Sequence, residues 1–263
     1  MLYFTLTLGI LTPEEDAKVT LGMIDTSKEG MTGSLWAAKA DGIMRVGCGQ
    51  LLDIIPYNVS SLLLNVVENL RVGRIYRKTK ETRINVKVLL DGKGESDINT
   101  GIGFLDHMFS QLAKHGRFDI ELKCDGDTHI DDHHTAEDCA LALGEAFDIA
   151  LGKREGIRRF GCAICPLDEA LSRVVVDISS RPHAVIDLQF TREMIGTISC
   201  EMLQHVLESF ASTCRITLHV HNLHGKNNHH KAESAFKALG VAMREAVGKD
   251  ASAGIPSTKG VLA

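Results

Sequence analysis

The sequence predicts an α/β sandwich of α+β type: one internally duplicated unit forming two sheets with helices packed on one side of each, preceded by an atypical N-terminal extension. Three observations carry this expectation. His133-His134-Thr135-Ala136-Glu137 recurs as His229-His230-Lys231-Ala232-Glu233, and Ala142-Leu143-Gly144 recurs as Ala238-Leu239-Gly240, all at the same 96-residue offset. Upstream, Leu105-Asp106-His107-Met108 with Ala113 matches Leu203-Gln204-His205-Val206 with Ala211 at an offset of 98. Glu81 leads into the alternating run Ile84-Asn85-Val86-Lys87-Val88, and Glu169 similarly leads into Val174-Val175-Val176-Asp177-Ile178. Repetition in register marks an internal duplication, and strands interleaved with two helices per half need a two-layer arrangement to bury their apolar faces.

The elements follow in order. Residues 1–74 read as an extension without an assigned role, and 75–263 as one domain of two repeats, about 78–165 and 166–263. Met1 to Leu11 is apolar but lacks a basic start, and Pro13-Glu14-Glu15-Asp16 follows at once. That fits neither a secretory nor a transit peptide, so cytoplasm is the expected compartment. Gly30 to Gly49 is rich in Gly, Ala and Met, and Leu51 to Leu70 resembles a buried helix or strand pair broken by Pro56. In the first repeat, Phe104, Met108, Leu112 and His115 fall at helical spacing, with Gly116 as a stop. Asp119 to Cys124 alternates as a strand, as does Ile216 to Val220 in the second repeat. The helix around Glu137 runs through Leu143 and Phe147 towards Gly152, with Asp131 and Asp132 as its capping residues. Each half reads strand, strand, helix with a histidine, strand, HHxxE helix.

Composition narrows the function. In 263 residues, 29 Lys+Arg stand against 34 Asp+Glu, a formal charge of −5, so no field of one sign points to nucleic acid. No apolar run approaches the roughly 18 residues of a membrane span. Seven irregularly spaced cysteines do not make a secreted disulfide framework and suggest a reducing compartment. Cys162-x-x-Cys165 has no second copy and precedes Pro166, which argues against a zinc or redox motif. Histidine is the anomaly: twelve residues, none before His107.

A helix advances 100° per residue, so His133 shares a face with Glu137, and His229 with Glu233. Two adjacent histidines point about 100° apart and suit two different ions. The repeats supply His107, His133, His134, Glu137, His205, His229, His230 and Glu233, which divide evenly into three imidazoles and one carboxylate for each of two metals. Without thiolate, such a set suits Mn, Fe, Co, Ni or Zn better than Ca or Mg. His129, His183, His219, His221 and His224 break the repeat and read as surface or supporting groups. Lys153, Arg154, Arg158 and Arg159, with Arg181, Lys237 and the Ser257-Thr258-Lys259-Gly260 tail, offer cations and hydroxyls for an anionic substrate group.

These residues resemble the imidazoleglycerol-phosphate dehydratase family of histidine biosynthesis. The matching stretches are Thr100-Gly-Ile-Gly-Phe-Leu-Asp-His-Met108, Asp127-Thr-His-Ile-Asp-Asp-His-His-Thr-Ala-Glu-Asp138, Arg159-Phe-Gly161, Pro166-Leu-Asp-Glu-Ala-Leu171, Gly225-Lys-Asn-Asn-His-His230 and Pro256-Ser-Thr-Lys-Gly-Val-Leu262. The resemblance runs from about residue 76 to 263, and nothing before Arg74 shares it. It implies a ribosomal-protein-S5-domain-2-like duplication, two Mn2+ ions per active site, and a homo-oligomer of 24 subunits with active sites between them. It implies one metal on His107, His134, His229 and Glu233, and the other on His133, Glu137, His205 and His230. Substrate contacts would map to Glu81, Gln111, His115, Arg159, Arg181, Lys237, Ser257, Thr258 and Lys259. The partner would be a small phosphorylated imidazole, with no role for nucleic acid or membrane.

The implied reaction expels a hydroxyl beside the imidazole ring and removes an unacidic carbon-bound proton from the neighbouring carbon. Two cations on the ring nitrogens would favour an imidazolate that drives the hydroxyl out, with Glu81 moving protons. The rival enzyme class is a dimetal hydrolase of a small phosphorylated substrate, although such sites are commonly richer in carboxylates. A metal-storage or assembly protein is the rival outside enzymes; it would leave Glu81 and the basic groups without work.

Overall fold

A computed structural model describes four strands within residues 1–48, together with residues 70–250 and 252–262. The chain divides into two compact units, Met1–Asn69 and Leu70–Ala263. In the first, β1 (Tyr3–Thr7), β2 (Thr20–Ile24), β3 (Thr32–Ala40) and β4 (Ile43–Cys48) pair antiparallel in that order. The Gly, Ala and Met-rich stretch contributes β3 and β4. The helix or strand pair expected at Leu51–Leu70 lies outside the described residues, apart from Leu70 itself.

The second unit starts at Leu70, and its first strand, β5 (Val72–Lys78), runs across the boundary expected at residue 74. The first repeat continues with β6 (Thr82–Leu89), β7 (Ser96–Asn99), α1 (Gly103–Gly116), β8 (Asp119–Gly126) and α2 (His133–Leu151). The second comprises β9 (Phe160–Leu167), β10 (Ala170–Asp177), β11 (His183–Asp187), the small hairpin β12 (Met194–Ile195) and β13 (Ile198–Ser199), α3 (Cys200–Cys214), β14 (Thr217–His224) and α4 (Asn228–Ala246). The sheets have the orders β5-β6-β8-β7 and β11-β14-β10-β9, the same topology twice. A third strand in each half, β7 and β11, pairs parallel with β8 and β14. Sequence reading misses both: Ser96-Asp97-Ile98-Asn99 holds one apolar residue and His183 to Asp187 is flanked by polar ends, so neither shows a strand period.

Period-two alternation buries Ile84, Val86 and Val88 on β6, and Val174 and Val176 on β10, under helices, while intervening residues face outward. Helix α2 packs on the first sheet and α4 on the second, and the helices meet each other as α1 with α4 and α2 with α3. The core between is closed by Phe118, Phe147 and Phe210, edge to face at centroid separations of 5.1 and 5.4 Å. Phe147 touches both others and is fully buried. Phe147→Ala is expected to cost about 3–5 kcal/mol of stability in a denaturant titration; a loss below about 1 kcal/mol would show that this cluster does not hold the repeats together.

Gly116 ends α1, but the left-handed turn falls on Arg117 (φ 57°), matched in the other repeat by Arg215 (φ 55°). The cap amides reach carbonyls of the last turn in both cases, so the geometry of a glycine stop is achieved without glycine. No described helix is long and apolar enough to cross a membrane.

Candidate metal centre and active site

The HHxxE segments both open helices, and equivalent side chains pin the openings. Asp131 Oδ1 accepts the His133 N–H at 3.0 Å and Asn227 Oδ1 accepts the His229 N–H at 2.9 Å. Asp132, expected as a second cap, instead accepts the Ser199 N–H at 2.5 Å, tying the start of α2 to the start of α3 in the other repeat. With the first turn fixed, His133 and Glu137, and His229 and Glu233, project from one face.

Two groups of ligating atoms result, each with its three atoms within 4.8 Å of one another: His107, His229 and Glu233, and His133, Glu137 and His205. Each joins one residue of one repeat to two of the other. In the first, Glu233 Oε2 lies 3.0 Å from His107 Nε2 and 3.1 Å from His229 Nε2. In the second, Glu137 Oε1 lies 2.8 Å from His205 Nε2. Two imidazoles and one carboxylate without thiolate are a donor set for a divalent transition metal. The residues therefore fit the metals expected, three ligands at a time.

His134 and His230 stand outside these groups, so one chain does not assemble the four-residue sets implied by resemblance. His134 Nδ1 lies 2.9 Å from Asp127 Oδ2, and His230 Nδ1 lies 2.7 Å from Glu169 Oε2. The reason is the helix itself: consecutive residues diverge, so the second histidine of each pair faces away from the first. Neither Asp127 nor Glu169 was singled out from sequence as a histidine partner. The repeat contained half a signal for Glu169, because it corresponds to Glu81, whereas nothing local identifies Asp127.

Around the first group, the positions expected to meet substrate form two rows. Gln111 and His115 follow His107 at one-turn intervals on α1, and Lys237 follows Glu233 on α4. Gln111 Nε2 reaches 3.5 Å from His107 Nδ1, and Lys237 Nζ lies 2.8 Å from Glu233 Oε1. Burial opposes ionisation of Glu233, but Lys237, His107 and His229 together draw its carboxyl down to about 2. Burial first, then the Lys237 charge, holds His115 below the ordinary imidazole value. Glu81 is half-exposed, with Oε1 3.8 Å from His134 Nε2.

The remaining positions gather at Asp177. Arg159 grips it through Nε at 2.7 Å and Nη2 at 3.1 Å, and Nη1 donates to the Pro256 carbonyl at 2.7 Å. Arg181 reaches the same carboxylate at 4.0 Å and is more than half exposed. In the tail, Ser257 Oγ accepts the Lys259 N–H at 3.2 Å, and the Gly260 N–H donates to the Ser257 carbonyl at 3.0 Å. Arg159 is thus committed to holding the Pro256–Gly260 turn, whereas Arg181 is the freer cation. Thr258 lies in that turn and is exposed.

Of the other basic residues, Arg154 is a correction. It is buried, pairs with Asp148, and donates to the carbonyls of Cys214 and Arg215 at 2.9 and 3.0 Å, so it braces α3 against α2 and offers nothing to an anion. Cys162 and Cys165 lie an odd number of residues apart on β9 and point to opposite faces; both are free thiols. His183, His219 and His221 line the outer face of the second sheet, with His219 and His221 stacked at 6.3 Å.

Comparison with known proteins bears directly on this constellation. The family model described as imidazoleglycerol-phosphate dehydratase matches residues 100–243, a stretch that includes both HHxxE motifs. An imidazoleglycerol-phosphate dehydratase of Phytophthora nicotianae is 54% identical over 258 residues, covering 97% of this chain and 56% of that protein. The chain thus spans little more than half of that relative, and the match extends into the N-terminal unit, so the extension is not peculiar to this sequence. A Phaffia rhodozyma enzyme of the same name is 57% identical over 198 residues, covering 73% of this chain and 97% of that one. Among solved structures, the Pyrococcus furiosus enzyme superposes with a TM-score of 0.62 at 36% identity over 72% of this chain and all of the other. The Staphylococcus aureus enzyme gives 0.62 at 30% identity, covering 68% of this chain and 99% of that one. With duplicated topology, paired His–His–Glu groups and whole-length relatives in agreement, the chain belongs to the imidazoleglycerol-phosphate dehydratase family.

Proposed function

We propose that this protein is a hydro-lyase that converts imidazole glycerol phosphate to imidazole acetol phosphate in histidine biosynthesis, using two Mn2+ ions. The observation that carries the reading is the pair of equivalent His–His–Glu groups, each spanning both repeats. His107, His229 and Glu233 would hold one ion and His133, Glu137 and His205 the other, with His134 and His230 as the fourth ligands. When bound, the ions would supply Lewis acidity to the substrate's imidazole, stabilising the negative charge with which the ring expels the hydroxyl.

The chain's own residues account for the rest. Glu81 takes the proton from the carbon neighbouring the one that loses its hydroxyl, and its carboxylate is half-exposed. The proton that Glu81 takes leaves with the hydroxyl as water, and the resulting enol gives up its O–H proton as the ring-bearing carbon gains one, leaving the ketone. Gln111 and His115 orient groups close to the first ion, and Lys237 sets the charge of Glu233. Arg181, Lys259 and the hydroxyls of Ser257 and Thr258 bind phosphate, with Arg159 holding their turn in place. Since His134 and His230 belong to neither group of their own chain, a site completed between subunits of a homo-oligomer is the arrangement we favour.

The test is manganese-dependent formation of the acetol phosphate by the full chain, followed alongside release of inorganic phosphate. Ketone formed without phosphate release supports the dehydratase; phosphate release without ketone turns the reading to a dimetal hydrolase. Arg181→Ala should raise KM about tenfold or more, the value of one charge-assisted contact, with kcat changed much less. An unchanged KM would remove Arg181 from the phosphate site.

A further inference from the structure

The two histidines outside the ligand groups are treated alike by unlike means. His134 and His230 occupy equivalent positions 96 residues apart, and each has Nδ1 engaged by a carboxylate. The carboxylates are not equivalent. Asp127 comes from the segment after β8, whereas Glu169 comes from the β9–β10 turn. Under the repeat, the counterpart of Glu169 is Glu81, which stands off from His134 on the other side, 3.8 Å from Nε2. Delivery of a carboxylate to the same nitrogen from two different places in the fold is hard to attribute to shared ancestry alone.

Both carboxylates are also built in. Glu169 Oε1 accepts the N–H groups of Lys226 at 3.1 Å and Asn227 at 2.8 Å, leaving Oε2 for His230. The Asp127 N–H donates to the Glu81 carbonyl at 3.1 Å, and its own carbonyl accepts from Ile130 at 2.8 Å, which fixes the residue between Glu81 and α2. Asp127 Oδ1 is buried without a hydrogen-bond partner, a cost borne while Oδ2 meets His134.

We propose that Asp127 and Glu169 are positioning residues of the metal centre, each accepting the Nδ1 proton of its histidine so that His134 and His230 offer only Nε2 to an ion. A carboxylate behind an imidazole fixes tautomer and ring orientation and strengthens the ligand, at a value of 10- to 100-fold in metal affinity. The repeats then differ in a way that serves the chemistry. In the second, the Glu169 carboxylate is consumed in holding His230. In the first, Asp127 performs that task and leaves Glu81 unencumbered. The inference rests on the metal-centre reading above and goes beyond it in assigning these two residues.

Two amide substitutions separate positioning from mere structure. In Asp127→Asn the single amide oxygen can still face Nδ1, with the NH2 taking the place of the already unpartnered Oδ1. In Glu169→Gln the one oxygen cannot serve both the backbone N–H pair and Nδ1. The full chain, stripped with chelator, would be titrated with Mn2+ while free ion is followed by electron paramagnetic resonance. Asp127→Ala, Glu169→Ala and Glu169→Gln should each weaken Mn2+ binding about 10- to 100-fold, and Asp127→Asn less than about fivefold. The metal-free Tm of Glu169→Gln should fall by no more than about 4 °C, the size of one lost surface contact and too little to unfold the metal centre. Wild-type affinity in Glu169→Gln and Asp127→Ala, with affinity lost in His134→Ala and His230→Ala, would overturn the proposal and leave the metal centre intact. Equal losses in Asp127→Asn and Asp127→Ala would overturn it for Asp127. Wild-type affinity in His134→Ala and His230→Ala would remove both as fourth ligands and overturn the proposal, whereas no Mn2+ bound by the wild type would sink the metal-centre reading itself.

Discussion

Glu81→Gln is expected to leave the bound manganese unchanged and to lower kcat by about 10²- to 10⁴-fold, the usual worth of a positioned acid–base group. Metal retention follows from geometry, because Glu81 belongs to neither ligand group and its nearest histidine contact is 3.8 Å. Its backbone carbonyl receives the Asp127 N–H, and its own N–H donates to Thr79 Oγ1 at 3.1 Å; neither bond involves the carboxylate. The amide therefore fits without disturbing the turn, and it cannot accept the carbon-bound proton. Metal content by elemental analysis and turnover by ketone formation check the two halves of the expectation separately. Turnover within tenfold of the wild type would transfer the proton to another group. Loss of metal would make Glu81 a ligand instead.

The paired His–His–Glu groups show how much of the site was legible in the sequence. Duplication made the two His–His–Glu groups readable, since HHxxE appears twice at helical spacing and His107 and His205 fall at matched offsets. It also made the sandwich readable, because period-two runs on β6 and β10 and 3.6-period runs on the helices recur together. What could not be read was the division of labour between atoms. Helical geometry says that His133 and His134 diverge, but only tertiary packing shows His133 meeting His205 while His134 turns to Asp127. Asp177, which gathers Arg159 and Arg181, is an ordinary strand-end carboxylate in sequence. Arg154 looked like its neighbours in a basic loop, and burial against α3 made it structural. Charges of one type are indistinguishable until their partners arrive from distant parts of the chain.

Gly144→Ala should destabilise the protein and open only one of the two metal groups. A Cβ at Gly144 on α2 would lie 2.2 Å from Thr213 Oγ1, 2.5 Å from the Phe210 carbonyl oxygen and 2.9 Å from the Cys214 amide nitrogen. The hydroxyl can rotate, but the backbone atoms cannot yield without α3 moving away. Overpacking of this kind costs about 1–3 kcal/mol or more, against which alanine in mid-helix returns about 1 kcal/mol over glycine. Contact with backbone favours the upper end, leaving a net loss of about 2 kcal/mol, or roughly 4–8 °C in Tm for a domain of this size. Two turns away on the same helices, Glu137 meets His205 at 2.8 Å, so the separation is felt at that group. Gly240 repeats the arrangement on α4, its Cβ falling 2.8 Å from the Gly116 nitrogen and 2.9 Å from the Leu112 oxygen, two turns from Glu233 and His107. Gly144→Ala should therefore weaken one Mn2+ site and Gly240→Ala the other, each in a protein that still binds at its intact group. A raised Tm, or loss of both ions from either variant, would show that helix approach at these glycines does not set the metal groups independently.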